Sequence, residues 1–330
     1  MALSKQEQKV FEELRKKKGV TVVGYGYKET GGKMTTEKAI VVGVKEKLPI
    51  ENLSPKDIIP QSALGAPTDV QERGEIFALG VENKERQRPA YPGCSIGHKD
   101  VTAGTFSALV KVSGVPFILS NNHVLSAVNR GKKGDEILQP GPYDGGVIPA
   151  DVIATLERYI EIEFITSSNC PLTKAVAKTF NALARVLDRH SRLETVRAIT
   201  NLVDCALAKP INVADVNATI FGIGIPVGWV LPQVGIAVQK SGRTTGYTQG
   251  AITLVSAMAN VNMGNNQIAV FEDQFEVEGT GEAFSAGGDS GSLVLNAQKQ
   301  VVGLLFAGSD TKTYCNSIKN VIDKLGLDSF

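Results

Sequence analysis

From Cys94 to the end, the sequence is a series of short β-branched and apolar runs broken by Gly, Asn and Ser. "TFSALVKVSGVPFILS" (105–120), "VGIAVQKSGRTTG" (234–246) and "GAITLVSAMANVNM" (250–263) are three of them. "QIAVFEDQFEVEG" (267–279) and "GSLVLNAQKQVVGLLFAG" (291–308) follow. Ser113-Gly114 and Asn296-Ala297 supply hairpin signals. Many short strands with turn punctuation predict a mainly β sandwich or barrel. Two helical patterns interrupt the texture. In residues 171–189, Val176, Phe180, Leu183 and Leu187 share a face, and in "SIKNVIDKLGL" Ile318, Val321, Ile322 and Leu325 do.

Residues 1–82 read as a separate small α+β domain. Ser4 with Glu7 forms a capping box ahead of Val10, Phe11 and Leu14, which predicts a helix to about Lys18. "VTVVGYGY" and "KAIVVGVKEK" read as a hairpin around Gly31-Gly32, "LSPKDIIP" as a helical turn, and "TDVQERGEIFAL" (68–79) as a third strand. Residues 83–93, with Lys84, Arg86, Arg88 and two prolines, read as a basic linker, and 94–330 as the main domain.

The chain carries 35 Lys+Arg against 34 Asp+Glu, so no overall field of one sign draws it to nucleic acid or to an anionic membrane. The N-terminus lacks an apolar signal region, which points to the cytoplasm. The four cysteines, at 94, 170, 205 and 315, form no C-x-x-C pair and are expected as unpaired thiols. No His/Cys ligand cluster calls for a metal, and no motif calls for a cofactor.

The chemistry is concentrated in "SAGGDSGSLVL" (285–295). A serine hydroxyl attacks only when a base takes its proton, and the oxyanion it creates needs preorganised donors. Glycine lets a backbone turn tightly enough for the N–H groups of Gly288 and Ser290 to converge on one oxygen. Ser290 is then the nucleophile. Three histidines are available as base. His98, in "CSIGHKD", is expected before the first barrel strand, and His190 ends the 171–189 helix, where a solvated C-terminal residue is expected. His123, in "FILSNNHVLS", stands where an apolar strand ends in small polar residues, which leaves its side chain held and accessible. Asp204, set in the apolar run "LVDCALAKP", is costly there without a partner and suits the orienting carboxylate.

"SNNHVL", "VDCALA" and "GGDSGSLV", in that order, resemble the three signatures of the trypsin-like, chymotrypsin-fold serine proteases. "VQKSGRTTGYTQG" (238–250) is similar to a loop of the α-lytic protease and streptogrisin branch, with Gln239 and Gln249 where that branch carries a cysteine pair. The His signature ends in Val124 where the family has Cys, so the family's disulfides are missing. The whole chain looks most like intracellular, mostly bacterial peptidases with an N-terminal α+β domain, a group similar to the plant narrow-leaf protein. The resemblance implies two perpendicular six-stranded β-barrels with the triad between them, and a serine endopeptidase acting on protein or peptide without cofactor or metal. It also implies that Asp289 pairs with a cation that shapes the oxyanion loop, here Lys240 or Arg243. Counting back from the nucleophile on the family pattern places Phe284 at the base of the substrate pocket and Phe306, Ala307 and Gly308 on its wall. A phenylalanine base speaks for a small or apolar P1 side chain.

Two other readings stay open from sequence: a protease-like binding module without turnover, and an esterase using the same triad. Residues 1–82 could inhibit, assist folding or dock a partner. They and the 171–189 helix offer surfaces for a partner or a second copy.

Overall fold

The computed structural model describes residues 3–31, 33–73, 82–167, 171–187, 189, 193, 196–197, 199–265 and 267–329. At its start the Ser4 hydroxyl accepts from the Glu7 amide at 3.3 Å, and the Glu7 carboxylate accepts from the Ser4 amide at 2.7 Å. That reciprocal cap starts helix α1, Lys5–Arg15. Strands Val20–Thr30 and Lys33–Val44 pair antiparallel around Gly31, whose φ of 60° suits glycine. A third strand, Ala66–Glu72, runs parallel to Lys33–Val44. It begins two residues before the sequence-predicted strand, and the end of that predicted strand lies outside the described residues. Buried Leu14, Ile40 and Val42 form the core of this unit, with Val10, Phe11 and Val23 against them. Contacts divide the chain into residues 1–78 and 79–330.

The second unit contains two closed sheets. In the first, the order is Gly104–Thr105, Ser95–His98, Glu136–Leu138, Val152–Tyr159, Ala206–Pro210, Val115–Ser120 and Ala108–Val112. The outermost two are successive pieces of one bent strand. Phe106 donates to Cys94 O at 2.9 Å and Ser107 to Leu119 O at 3.0 Å, so the bend joins both edges and closes a six-stranded barrel. Closure leaves no open edge to recruit other chains. The second barrel runs Ile268–Gly279, Gly246–Asn262, Ala237–Gly242, Leu293–Asn296, Val301–Gly308 and Lys312–Ser317, and closes by pairing its last strand with its first. Thr200–Asn201 adds a short parallel piece outside it. The double-barrel, chymotrypsin-like fold follows from this strand order.

Alternating side chains fill each barrel. Ile96, Phe106, Ile118 and Leu156 lie in the first core, and Val238, Phe275, Val277 and Val294 in the second. A third cluster joins them: Val110, Leu119 and Leu207 meet Leu295, Val301 and Leu304. Helix α4, Ile318–Leu325, caps this seam with Ile318, Val321 and Leu325. Two further helices interrupt the strands: one turn, α2 (Asn122–Leu125), and α3 (Pro171–Val186), inserted between Val152–Tyr159 and Ala206–Pro210.

Residues 83–93 are not a free linker. Asn83 is buried and donates to Gly242 O at 2.8 Å. Arg86 pairs with Asp151 at 2.9 Å, Arg88 donates to Gln139 Oε1 at 2.5 Å, and fully buried Ala90 bridges to the backbone at 215–217. The polar composition that looked like solvation serves fixed partners on the barrel unit.

Cys94, Cys205 and Cys315 are buried and unpaired, and Cys170 lies outside the described residues. Burial pushes the Cys94 thiol up to about 12 and the other two well above the ordinary thiol value. Because the thiolate is the reactive form, these three should resist iodoacetamide in the native chain at pH 8 and react after unfolding. Peptide mapping of native alkylation tests this, and labelling at Cys94 would contradict it.

Candidate active site

The "SNNH" run is locked residue by residue. Asn121 precedes α2, and its side-chain amide donates to Asp204 O at 2.7 Å. Asn122 exchanges hydrogen bonds with Asn129 and reaches Ile160 O at 2.7 Å. His123 is thereby held on a one-turn helix with its side chain 23% exposed. Its Nδ1 lies 2.5 Å from Asp204 Oδ2, and its own backbone N–H donates to Asp204 Oδ1 at 3.3 Å. The carboxylate can only accept, so Nδ1 carries the hydrogen and Nε2 is left for other chemistry.

Asp204 is fully buried between Val203 and Cys205 of the inter-barrel core. Its N–H donates to Asn316 Oδ1 at 2.9 Å, and Asn316 in turn donates to Gln274 Oε1 at 2.7 Å. Its position is therefore set by the second barrel as well as the first.

Ser290 follows the tight turn at Gly288, whose φ is 97°. A side chain at Gly288 would clash with Arg243 and Thr244. Among the described residues, the N–H groups of Gly288 and Ser290 meet no acceptor. Unpaired donors on either side of a fixed aspartate are available to an oxyanion. The Ser290 hydroxyl is 3.4 Å from Phe306 O and makes no hydrogen bond to His123 among the described residues.

Asp289 is fully buried and accepts from four neutral donors: the amides of Thr244 (2.7 Å), Thr245 (3.1 Å) and Ala286 (2.9 Å), and the Thr245 hydroxyl (2.6 Å). Of the two cations considered for it, Lys240 faces it. The Lys240 Nζ stands 3.4 Å from Oδ2, also fully buried, and reaches Thr245 Oγ1 and Gly246 O. Burial lowers the Lys240 pKa, and Asp289 opposes that shift. Arg243 turns instead to Asp144, at 2.6 and 2.5 Å, because its planar fork matches a carboxylate edge. From there it borders Gly288 and donates to Thr244 Oγ1.

A cleft of about 1090 Å³ opens beside His123, lined by Leu254, Met258, Val261, Met263 and Tyr314 together with Phe306, Ala307 and Gly308. Phe284 does not line it. Its ring, 1% exposed, lies in the second-barrel core with Phe275 and Val277. His98 is structural: it bonds Asp135 at 3.1 Å and accepts from the Asp100 N–H at 3.1 Å. His190 lies outside the described residues. Among the described residues there is no group of three or more His, Cys, Asp or Glu able to hold a metal ion.

Sequence reading missed Thr105. It is fully buried and sits where the two barrels meet. Its N–H donates to Ser290 O at 2.8 Å, its hydroxyl donates to Gly288 O at 3.0 Å, and that hydroxyl accepts from the Arg243 N–H at 3.0 Å. Neighbouring Gly104 packs on Val124, next to His123. Nothing in "AGTFSA" signals this, since the contacts join residues far apart in sequence. Asp144 and Asn316 were missed for the same reason.

A family model described as Peptidase S7, Flavivirus NS3 serine protease, matches residues 283–321, the segment that holds Ser290. The chain resembles the trypsin-like serine proteases. Among solved structures, Cellulomonas bogoriensis chymotrypsin is similar at 15% identity, covering 73% of this chain and 97% of that one, with a TM-score of 0.44. Thermobifida fusca protease A matches at 14% identity over 72% and 97% of the two chains, with a TM-score of 0.44. An α-lytic protease homologue designated N4 matches at 14% over 74% and 98%, with a TM-score of 0.46. No curated protein matches the chain.

Proposed function

We propose that the chain is a serine endopeptidase that works through an acyl-enzyme on Ser290. The observation that carries this reading is the His123–Asp204 pair: a 2.5 Å contact to a fully buried carboxylate, at the edge of an open cleft. A buried aspartate bonded to a partly exposed imidazole is costly as structure and useful as a base. Ser290 Oγ leaves the Phe306 carbonyl and gives its proton to His123 Nε2 as it bonds the substrate carbonyl carbon. The Gly288 and Ser290 amides take the oxyanion. The C–N bond breaks, and the amine leaves with the proton from His123. Water repeats the sequence, frees the acid and restores Ser290. Asp204 holds the imidazole and balances its charge throughout.

Phe306 and Ala307 on the cleft wall support a small or apolar P1 side chain, although the same cleft also carries Asp100, Arg130, Asn260 and Asn262. Cleavage of a mixed peptide library, read by mass spectrometry, tests this, and cuts confined to charged P1 residues would contradict it. Intact mass after fluorophosphonate treatment tests the reaction itself. One adduct on the wild type and none on Ser290→Ala supports the acyl-enzyme. No adduct on either favours a silent binding module, and turnover of esters but not peptides favours an esterase.

Thr105 serves as a positioning residue in this reading. Thr105→Val keeps the shape and leaves the Gly288 carbonyl and the Arg243 amide unpaired, at about 1–3 kcal/mol each. The adduct rate should fall on the order of tenfold to a hundredfold through displacement of the loop. Stopped-flow labelling alongside urea unfolding checks both, and an unchanged rate would remove Thr105 from the site.

Residues 1–82 we assign a regulatory or docking role. The informative truncation begins at Leu79, where the second unit starts, because a cut at 90 would strip Asn83, Arg86 and Arg88 from their partners. Faster labelling of 79–330 than of the full chain means inhibition, aggregation means folding help, and equal rates mean docking.

A further inference from the structure

Asn83 is the first buried side chain of the second unit among the described residues. Its Nδ2 donates to Gly242 O at 2.8 Å, over a sequence separation of 159. That carbonyl shares one planar peptide with the Arg243 N–H. The Arg243 N–H donates to the Thr105 hydroxyl at 3.0 Å, and the hydroxyl gives its one hydrogen to Gly288 O at 3.0 Å. Three hydrogen bonds and a peptide plane therefore run unbroken from Asn83 to residue 288. Gly288 O belongs to the peptide whose N–H, that of Asp289, donates to Ala286 O at 3.0 Å, so both sides of this second plane are held. The relay also lies against the buried carboxylate, since a Cβ at Gly242 would stand 2.6 Å from Asp289 Oδ1.

We propose that Asn83 is a positioning residue for the oxyanion loop, so that the segment entering from the first unit forms part of the site. The inference rests on the acyl-enzyme reading, in which the Gly288 and Ser290 N–H groups receive the oxyanion. Turning the 288–289 peptide plane changes the backbone angles at residue 288 and re-aims its N–H. Thr105 resists that turn only while the Arg243 N–H fixes the direction of its hydroxyl, and Asn83 holds the other side of the Arg243 peptide. Each hydrogen bond in such a chain polarises the next, and in a buried site the effect is not screened by water. As packing alone Asn83 is a poor choice. Its Oδ1 meets no partner among the described residues, and an unpaired buried oxygen is unfavourable. Arg86 and Arg88 fasten the same segment to Asp151 and Gln139, which stand outside the relay.

The test is fluorophosphonate labelling of the full chain over a range of probe concentrations, which separates the maximal rate from the half-saturating concentration. Asn83→Leu keeps the bulk and removes the donor. It should lower the maximal rate about tenfold and leave the half-saturating concentration unchanged, because the oxyanion donors act in the transition state. Combined with Thr105→Val it should add little to the loss from Thr105→Val by itself, since both break one relay. Arg86→Ala loosens the same segment at an exposed ion pair and should label at the wild-type rate. Urea unfolding shows that each variant folds, and Asn83→Ala replaces Asn83→Leu if the leucine is not accommodated. A wild-type maximal rate in the Asn83 variant overturns the proposal, as do additive losses in the double variant. Equal slowing by Arg86→Ala also overturns it, since the cause would then be general loosening of the segment. A wild type that takes no adduct is a different failure: it overturns the acyl-enzyme reading, and this inference falls with it.

Discussion

Ser290→Ala is expected to abolish fluorophosphonate labelling and to lower peptide turnover by about a millionfold, with His123→Ala close to it and the double variant little worse. The non-additivity is the informative part. In the proposed mechanism serine and histidine act on one proton, so removing either removes the same step. Asp204→Asn should cost about ten-thousandfold while leaving the fold intact. Its amide can donate to His123 Nδ1, which favours the tautomer with the hydrogen on Nε2, and that nitrogen then cannot accept from Ser290. Asn316 and Asn121 would still hold the backbone of residue 204. Active-site titration and single-turnover kinetics check the series. Turnover by Ser290→Ala within tenfold of the wild type would sink the acyl-enzyme.

Asp289→Asn is expected to destabilise the chain by about 3–5 kcal/mol and to slow labelling on the order of a hundredfold to a thousandfold. Four donors and a buried ammonium converge on this carboxylate. An amide turns one acceptor oxygen into a donor, so at least one donor loses its partner and Lys240 is left charged in the core. The same residue spaces Gly288 from Ser290, so its displacement misaims both N–H groups. Lys240→Met separates the two effects, because Asp289 keeps its four neutral donors. That variant should lose stability and keep more activity than Asp289→Asn. Its pH dependence also has a sign. Burial lowers the folded pKa of Lys240 below its ordinary 10.5, so the folded chain releases that proton first. The unfolded chain then binds more protons, and wild-type stability gains a rising contribution with pH in the window below 10.5. Lys240→Met should lack that contribution in urea titrations at alkaline pH. An Asp289→Asn chain of wild-type stability and labelling rate would show that the loop is shaped by other contacts.

Much of the site was legible because its chemistry is compressed into short runs. His123, Asp204 and Ser290 each stand in a context odd for structure alone: a polar strand end, an acid in an apolar run, a serine among glycines. Phe284 lies in the second-barrel core rather than on the cleft beside His123, and adjacency to the motif says nothing of which way a side chain points. The 83–93 segment misled because charge reads as solvation until Asp151 and Gln139 are seen opposite it. Between Lys240 and Arg243 sequence could not choose, since both stand in the same short run, "QKSGRTTG".

By itself the sequence determined the strand-rich texture, the separate N-terminal unit, the capping box of α1, the amphipathic pattern of α3 and three residues fit for a triad. These are local properties: periodicity, turn chemistry and the cost of a charge among apolar neighbours. Only the tertiary structure decided the closure of each barrel through the bent strand at 104–112 and the pairing of 268–279 with 312–317. It alone placed Thr105 between the barrels and sent Arg243 to Asp144. The last two join residues far apart in sequence, Arg243 to Thr105 at a separation of 138 and to Asp144 at 99, and no local pattern encodes which distant partner a buried polar group will meet.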